Sequence, residues 1–182
     1  VWLGMTPAHA DMLVMPDPDT VMQLPWKPEI GWVTGDLVMD GKPIEQNPRQ
    51  ILKRVMADAA RDGYAMKTGV ECEYFLISRD GRQISDDADA QSRPCYDQQA
   101  LMRRYEVIKE ICDGMIALGW APYQNDHEDA NGQFEMNWDY DDCLKTADRH
   151  AFFKFMVKSV AEKHGLRATF MPKPFSELTG NG

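Results

Sequence analysis

The first forty residues alternate short apolar runs with turn-forming residues. Residues 11–15 form one apolar run, and a Pro-Asp-Pro-Asp cluster at 16–19 follows it. Further apolar runs lie at 21–24 and 31–39, and the Asp-Gly pair at 40–41 is typical of a tight turn. Because no helix of useful length fits this pattern, it predicts short strands joined by turns.

A helical pattern begins after Asn47. Asn47 suits an N-cap and Pro48 suits the first position of a helix. Apolar residues then recur at helical spacing from Ile51 to Ala59, and Gly63 suits the end of the helix. This change from a strand-like to a helical pattern predicts a domain boundary near residue 47.

The rest of the chain predicts strands that alternate with two long amphipathic helices. Strand-like patterns occupy residues 69–77 and 133–138, and a polar loop is predicted at 78–95. Apolar residues at helical spacing cover 98–118 and 142–163. The shorter predicted elements are strands at 120–124 and 167–171 and a turn at 125–132.

The spacing of apolar residues also predicts which helical positions are buried. The predicted buried positions are Leu101, Tyr105, Ile108, Cys112 and Met115 in the first long helix, and Leu144, Ala147, Ala151, Phe155 and Ala161 in the second.

Composition excludes two classes of partner. The 182 residues include 29 acidic and 20 basic side chains, which gives a formal net charge of −9. A nucleic-acid groove needs clustered Lys and Arg, and this chain has no such cluster. Anionic membranes repel an acidic surface, and no apolar run approaches the ~20 residues of a membrane helix. We therefore expect neither a nucleic-acid nor a membrane partner.

The cysteines and the chain ends bear on cellular context. Cys72, Cys95, Cys112 and Cys143 form no Cys-x-x-Cys pair, which argues against a zinc site and favours a reducing, cytoplasmic setting. Residues 1–15 contain no Lys or Arg, so no signal peptide is expected. The absence of an initial Met and the glycine-rich end predict a piece of a longer chain.

Glu71 and Glu73 are the first carboxylates that could carry chemistry. They lie at positions i and i+2 of a strand-like segment, so both side chains point to the same face. Two carboxylates ~7 Å apart repel each other unless a cation lies beside them. The alternative is an exposed polar face.

Glu128 and Glu135 form a second pair. They flank an Ala-Asn-Gly turn, and a hairpin of this length can bring their carboxylates together. Taken alone, the pair also fits a solvated acidic loop. Four Glu side chains from two strand regions supply the hard oxygen ligands that suit Mg²⁺ or Mn²⁺ rather than zinc.

Lys173 and Pro174 precede the glycine-rich loop at 180–182 and form a third candidate. Lys side chains and backbone N–H groups in such a loop can meet phosphate or carboxylate oxygens. The order of residues is not that of a Walker motif, and a plain turn is the alternative.

Taken together, these segments resemble the glutamine synthetase family along essentially the whole chain. Residues 69–77 resemble its Gly-x-Glu-x-Glu-Phe-Phe strand, and residues 126–135 resemble its His-Glu-x-Ala-Pro-Gly-Gln-x-Glu loop. Residues 168–174 and 180–182 resemble its Lys-Pro signature in the ATP region. Residues 11–17 resemble a segment late in its small N-terminal domain.

The resemblance implies an α+β fold in two parts. Residues 1–47 would be the C-terminal part of a small β-grasp domain. Residues 48–182 would be the N-terminal half of a catalytic domain in which helices back an antiparallel sheet.

The resemblance also implies roles for the carboxylates. Glu73, Glu128 and Glu135 would hold one divalent metal, and Glu71 would help to hold a second metal near the ATP phosphates. His127 would lie beside Glu128 and support it from outside the metal's ligand shell. The implied cofactors are therefore ATP and two Mg²⁺ or Mn²⁺ ions in each complete site.

The substrates follow from the same resemblance. Glutamate would be phosphorylated by ATP to γ-glutamyl phosphate, which ammonia would attack to give glutamine. Gly180 would offer its backbone to glutamate, and the ATP region would include Lys173, Pro174 and Tyr140. The implied assembly is a cytoplasmic homo-oligomeric ring, a dodecamer by resemblance.

The chain departs from the family pattern at two positions and in its extent. Asp126 stands where many members have a second His, and Asn131 stands where many have Pro. Both departures resemble the divergent branch known as type III or as glutamylamide ligases. Further metal ligands and phosphate-binding Arg residues would lie beyond residue 182, so the 182 residues alone are expected to have no turnover.

Three hypotheses therefore remain open from the sequence. The first is a glutamate–ammonia ligase that makes glutamine. The second is a γ-glutamyl-amide ligase that uses methylamine or another amine. The third is a non-catalytic structural relative, against which the retention of four mutually repelling Glu side chains argues.

Overall fold

The structure is a computed structural model that describes residues 6, 8, 9 and 11–182. Within these residues it contains eleven strands and four α-helices. The helices are α1 (Pro48–Arg61), α2 (Gln98–Arg103), α3 (Tyr105–Ala117) and α4 (Cys143–Lys163). The strands are β1 (Leu13–Pro16), β2 (Met22–Leu24), β3 (Lys27–Trp32), β4 (Gly35–Met39), β5 (Lys42–Pro43), β6 (Lys67–Thr68), β7 (Glu71–Ile77), β8 (Pro122–His127), β9 (Gln133–Trp138), β10 (Asp141–Asp142) and β11 (Arg167–Thr169).

A four-stranded antiparallel sheet with the order β11-β7-β9-β8 organises the larger part of the chain. Side chains alternate between its two faces. Tyr74 and Leu76 of β7, with Phe134 and Met136 of β9, point into the core. The opposite face carries the glutamates. The antiparallel sheet backed by helices is therefore confirmed.

Helices α3 and α4 cover the apolar face of this sheet. Ile111 and Met115 of α3 are fully buried, as are Phe152, Phe153 and Met156 of α4. Burial of large apolar side chains stabilises by ~1.5–3 kcal/mol each, so this layer contributes substantially to the stability of the fold.

The N-terminal strands form smaller antiparallel units. β1, β4 and β5 make a three-stranded sheet, and β2 pairs with β3. Trp26 and Trp32 from this segment lie against Phe152 of α4. The ring centroid of Phe152 is 5.8 Å from that of Trp26 and 5.2 Å from that of Trp32. The predicted short strands are confirmed. The boundary near residue 47 and the β-grasp assignment stay predictions, and part of the predicted first domain lies outside the described residues.

A buried arginine ties this N-terminal segment to the helices. The Arg49 guanidinium lies 2.7 Å from Asp17, 3.0 Å from Asp36 and 3.1 Å from Asp148, and its side chain is 10% exposed. These carboxylates come from three separate places: a turn, β4 and α4. The hydrogen bond from Arg49 lowers the pKa of Asp17 below its usual value. One cation therefore joins three elements that are distant in sequence.

The prediction of a single helix at 98–118 was wrong, because the helix is interrupted at Arg104. This residue has φ −113° and separates α2 from α3. Its guanidinium donates to the hydroxyl oxygen of Ser85 at 2.9 Å and to the Ser85 carbonyl oxygen. These contacts with the preceding loop accompany the interruption of the helix, although the apolar residues keep a helical spacing across it.

The predicted buried face of the second long helix was also largely wrong. Ala147, Ala151 and Phe155 are exposed and Leu144 is half-buried, whereas Ala161 is buried as expected. Apolar side chains surround much of α4, so spacing alone does not identify the inner face. The side chains that the structure buries are Cys143, Thr146, Asp148, Phe152, Phe153, Met156, Val157, Val160 and Ala161.

Smaller differences concern element ends and single positions. The strand predicted at 120–124 runs from Pro122 to His127, so it includes the start of the predicted turn. The last predicted strand ends at Thr169. In the first helical region Leu101 and Cys112 are half-buried and Tyr105 is exposed.

Two further observations concern membrane helices and thiols. Among the described residues, no helix has both the length and the apolar character needed to span a membrane. All four cysteines are free thiols.

The Arg49 cluster predicts a large stability effect. Replacing Arg49 by Met leaves Asp148 without its cation and leaves Asp17 and Asp36 with Lys53 alone. We therefore expect the free energy of unfolding to fall by about 3 kcal/mol or more. Arg54→Met, on the exposed side of the same helix, should change it by less than about 0.5 kcal/mol. Urea denaturation measures both variants, and equal losses would contradict the prediction.

Candidate metal centre

Three glutamates converge on the open face of the main sheet. Glu73, Glu128 and Glu135 each offer a carboxylate oxygen, and these oxygens lie within 4.8 Å of one another. Glu73 and Glu135 are direct partners in the β7–β9 register. Like charges placed directly opposite each other destabilise a sheet, so this arrangement requires a compensating interaction.

Glu128 reaches the cluster because a tight turn joins β8 to β9. Its N–H donates to the Gln133 carbonyl oxygen at 3.0 Å, and the Gln133 N–H donates to Ala130 at 3.0 Å. Gly132 has φ 74°, and a Cβ added there would lie 2.8 Å from Ile84. Only glycine therefore fits this turn without displacing its neighbours.

Two amide side chains of β9 hold the carboxylates in place, and sequence reasoning missed both roles. Gln133 donates to Glu73 at 2.9 Å, and Asn137 donates to Glu135 at 2.8 Å. Residues 133, 135 and 137 alternate on one strand, so period-two spacing was the signal that could have identified them. Neutral donors can hold anions in position without competing with a cation for charge.

The glycine-rich end of the chain folds over Glu73. The Gly182 N–H donates to Glu73 at 3.0 Å, and the Gly180 carbonyl oxygen accepts from Gln133 at 3.1 Å. A Cβ at Gly180 would clash with the Pro172 carbonyl oxygen. Gly180 thus lies near the cluster, while its predicted contact with glutamate stays a prediction.

The electrostatics of the cluster favour either protonation or a cation. Burial, with the nearby charge of Glu135, raises the pKa of Glu128 to about 7. Burial also raises the pKa of Glu135, against the hydrogen bond from Asn137 that lowers it. Three carboxylate oxygens at this spacing fit a hard divalent cation.

Glu71 does not join this group of three. It is exposed and borders a separate cavity of about 510 Å³, which Lys67 and Tyr140 also line. The Lys67 ammonium lies 5.7 Å from the centre of the Tyr140 ring. The structure therefore brings Glu71 and Tyr140, two of the predicted site residues, to one cavity beside the cluster.

Lys173 and Pro174 lie on the turn that leads to the glycine-rich loop. The Lys173 ammonium donates to the Leu178 carbonyl oxygen, and Pro174 is half-buried. Neither residue borders the cavity at Glu71. Their assignment to the ATP region remains a prediction.

His127 supports the hairpin from its buried side. One ring nitrogen lies 2.9 Å from the Pro94 carbonyl oxygen and the other 2.8 Å from Asp89. The ring also packs edge-on against Phe134, with centroids 5.4 Å apart. Both nitrogens are therefore engaged away from the Glu128 carboxylate, so any support for Glu128 passes through the backbone.

A second group, Cys95, Glu128 and Asp129, also has ligand atoms within 4.8 Å of one another. Desolvation and a hydrogen bond with Asp129 raise the pKa of Cys95 to about 11. Sulfur is a soft ligand, whereas Mg²⁺ and Mn²⁺ prefer oxygen ligands, so this mixed group suits these cations less well than three carboxylates do. The three glutamates are the better cation site.

Known proteins resemble this chain over its whole length. A family model described as "Glutamine synthetase, catalytic domain" matches residues 45–182. A glutamine synthetase of Rhizobium leguminosarum bv. phaseoli is 69% identical over 181 residues. A glutamate–methylamine ligase of Methyloversatilis universalis is 37% identical over 186 residues. Both alignments cover 100% of this chain but 42% of the relative.

A solved structure gives the same picture. The structure described as "GmaS/ADP complex-Conformation 1" superposes with a TM-score of 0.96 at 66% identity. The match covers 98% of this chain and 42% of that one. The chain thus spans about two fifths of the length of the relatives that it matches.

The raised pKa of Glu128 predicts that metal binding depends on pH. Below about pH 7, the value of this pKa, the Glu128 carboxyl is mostly protonated, so a cation that binds there must displace the proton. We expect Mn²⁺ affinity to rise about tenfold per pH unit up to this pKa and to level off above it. Calorimetric titrations between pH 5.5 and 8.5 measure the slope, and a flat profile would contradict the prediction.

Proposed function

The chain belongs to the glutamine synthetase family, and on this premise we propose that it is part of an ATP-dependent ligase that joins glutamate to an amine. The observation that carries the proposal is the convergence of Glu73, Glu128 and Glu135 on the open face of the sheet. A non-catalytic relative has no reason to keep three mutually repelling carboxylates in one place, so the third sequence hypothesis is disfavoured.

The carboxylates define the role that we propose for a divalent metal. Glu73, Glu128 and Glu135 would hold one Mg²⁺ or Mn²⁺, and Glu71 would contribute to a second site beside it. When bound, the metals neutralise phosphate charge. The chain's own part is to keep these oxygens in place through Gln133 and the backbone of the glycine-rich loop.

We propose that the reaction consumes ATP, glutamate and an amine, and yields an amide, ADP and phosphate through γ-glutamyl phosphate. The cavity at Glu71 and Tyr140 is the proposed position of the nucleotide. The exposed Tyr140 ring suits stacking against a base. Gly180 is the proposed glutamate contact, and Lys173 and Pro174 belong to the same proposed region.

Ammonia is the acceptor that we propose first, and methylamine is the second candidate. The relative from Rhizobium leguminosarum is named glutamine synthetase, whereas the one from Methyloversatilis universalis is named glutamate–methylamine ligase. Asp126, a departure from the family pattern, lies opposite Glu135 in the sheet. Asn131, the other departure, donates to Asp89 at 2.9 Å and so contributes to the conformation of the turn.

The assembly and location are also proposals. By resemblance, the complete protein would form a homo-oligomeric ring with its active sites between subunits. It would be located in the cytoplasm.

Removing one carboxylate tests the metal site. Glu135→Gln keeps the shape of the side chain but removes a charged ligand, and we expect the Mn²⁺ dissociation constant to rise at least about tenfold. Glu162→Gln, at an exposed position of α4, is the matched control and should leave it unchanged. Isothermal titration calorimetry measures both variants. Failure of the unaltered chain to bind Mg²⁺ or Mn²⁺ would overturn the catalytic proposal.

Steady-state kinetics of the complete enzyme test the acceptor. We expect kcat/KM for ammonia to exceed that for methylamine by about tenfold or more, since one additional methyl group is commonly worth this much discrimination. Phosphate release and amide formation, measured with each amine, give the ratio. A preference for methylamine would replace the first candidate by the second.

A further inference from the structure

The polar loop before α2 contains a buried carboxylate. Asp89 is 3% exposed, although it lies in a stretch of three aspartates with one alanine. Asp86 is also buried, and Arg103 lies 2.6 Å from it. Asp87 is exposed. A buried carboxylate needs several donors to offset its desolvation, so the partners of Asp89 indicate its role.

Asp89 accepts hydrogen bonds from one small region, the turn between β8 and β9. The Gly132 N–H donates at 2.6 Å and the Asn131 amide at 2.9 Å. The His127 ring nitrogen lies 2.8 Å from the same carboxylate. These partners lie on both sides of Glu128 and Asp129, so Asp89 holds the turn at its beginning and at its end.

His127 extends this connection back to the loop. Its second ring nitrogen meets the Pro94 carbonyl oxygen, and its own carbonyl oxygen accepts from the Tyr96 N–H at 2.8 Å. Tyr96 has φ 61°, a backbone conformation that residues other than glycine rarely adopt. The loop and the turn are therefore joined as one unit.

We propose that Asp89 is a positioning residue for the cation site, an inference that rests on the proposed function. Glu128 is the one member of the cluster carried by a turn rather than by a paired strand position. Glu73 and Glu135 repel its charge, and this force pushes a turn outward. The bonds from Asp89 to the turn oppose that movement and keep Glu128 within reach of the shared cation.

Asp89→Asn is the sharpest variant, because it keeps the shape and changes the chemistry. The Asn131 amide and the Gly132 N–H donate to different oxygens of the Asp89 carboxylate, whereas Asn offers one oxygen and one NH₂ group, which is itself a donor. Either Gly132 or Asn131 then loses its acceptor. Asp87→Asn removes the same charge from an exposed position of the same loop, so it is the matched control.

Mn²⁺ binding by the complete protein, unaltered or carrying each substitution, is the measurement, made by calorimetry and by the electron paramagnetic resonance signal of the bound ion. We expect Asp89→Asn to raise the dissociation constant about 10- to 100-fold, as is typical when support around metal ligands is lost. Asp87→Asn should stay within about twofold of the unaltered chain. Thermal unfolding of each variant confirms that it is folded at the temperature of the titration.

The outcomes separate this inference from the proposed function. If the unaltered protein binds Mn²⁺ and Asp89→Asn binds it as tightly as Asp87→Asn does, the positioning role is overturned and the proposed function stands. A lower unfolding temperature with an unchanged dissociation constant overturns the positioning role in the same way. If the unaltered chain does not bind Mn²⁺, both proposals fail.

A milder variant keeps the test decisive if Asp89→Asn does not fold. Asn131→Ala removes one hydrogen-bond donor from the buried carboxylate and leaves the bond from the Gly132 N–H in place. We expect it to weaken Mn²⁺ binding in the same direction but less. An unchanged dissociation constant in this folded variant would overturn the inference.

Discussion

The pairing of β7 with β9 places Glu73 directly opposite Glu135, and the rest of the molecule is arranged around this unfavourable contact. Two like charges across a sheet weaken the pairing that brings them together. The other face of the same strands compensates, because Tyr74 and Phe134 lie in the core beneath the helices. Apolar burial on one face thus holds an electrostatically costly arrangement on the other.

The polar residues around the cluster complete this compensation. Gln133 and Asn137 donate to the carboxylates from the same strand, and the backbone of Gly182 donates from the chain end. Each donor is neutral, so the cluster remains anionic overall. Burial and mutual repulsion still raise the pKa of Glu128 to about 7. The carboxylates are therefore held by hydrogen bonds while their negative charge remains uncompensated, an arrangement that favours binding of a divalent cation.

Much of the fold could be predicted because local patterns carry it. The Asn47-Pro48 start of α1 was predicted from capping chemistry, and the structure confirms it with a hydrogen bond from the Arg49 N–H to the Asn47 side chain. The strand at β9 followed from its alternating pattern. The break at Arg104 could not be predicted, since it depends on Ser85, which lies 19 positions away. The inner face of α4 was predicted wrongly for a related reason, because apolar residues surround much of that helix.

The candidate site, like the fold, was predictable from the sequence only in part. The sequence by itself determined that Glu71, Glu73 and Glu135 lie on strand-like segments and that Glu128 lies in the short turn before Glu135, because spacing along a strand or turn sets direction over a few residues. Only the tertiary structure decided that three of the four share one point and that Glu71 faces a neighbouring cavity. It also decided that Gln133 and Asp89 hold the site, across 60 and 43 positions of chain. The physical reason is that contacts at such separation depend on strand register and packing, which no local period encodes.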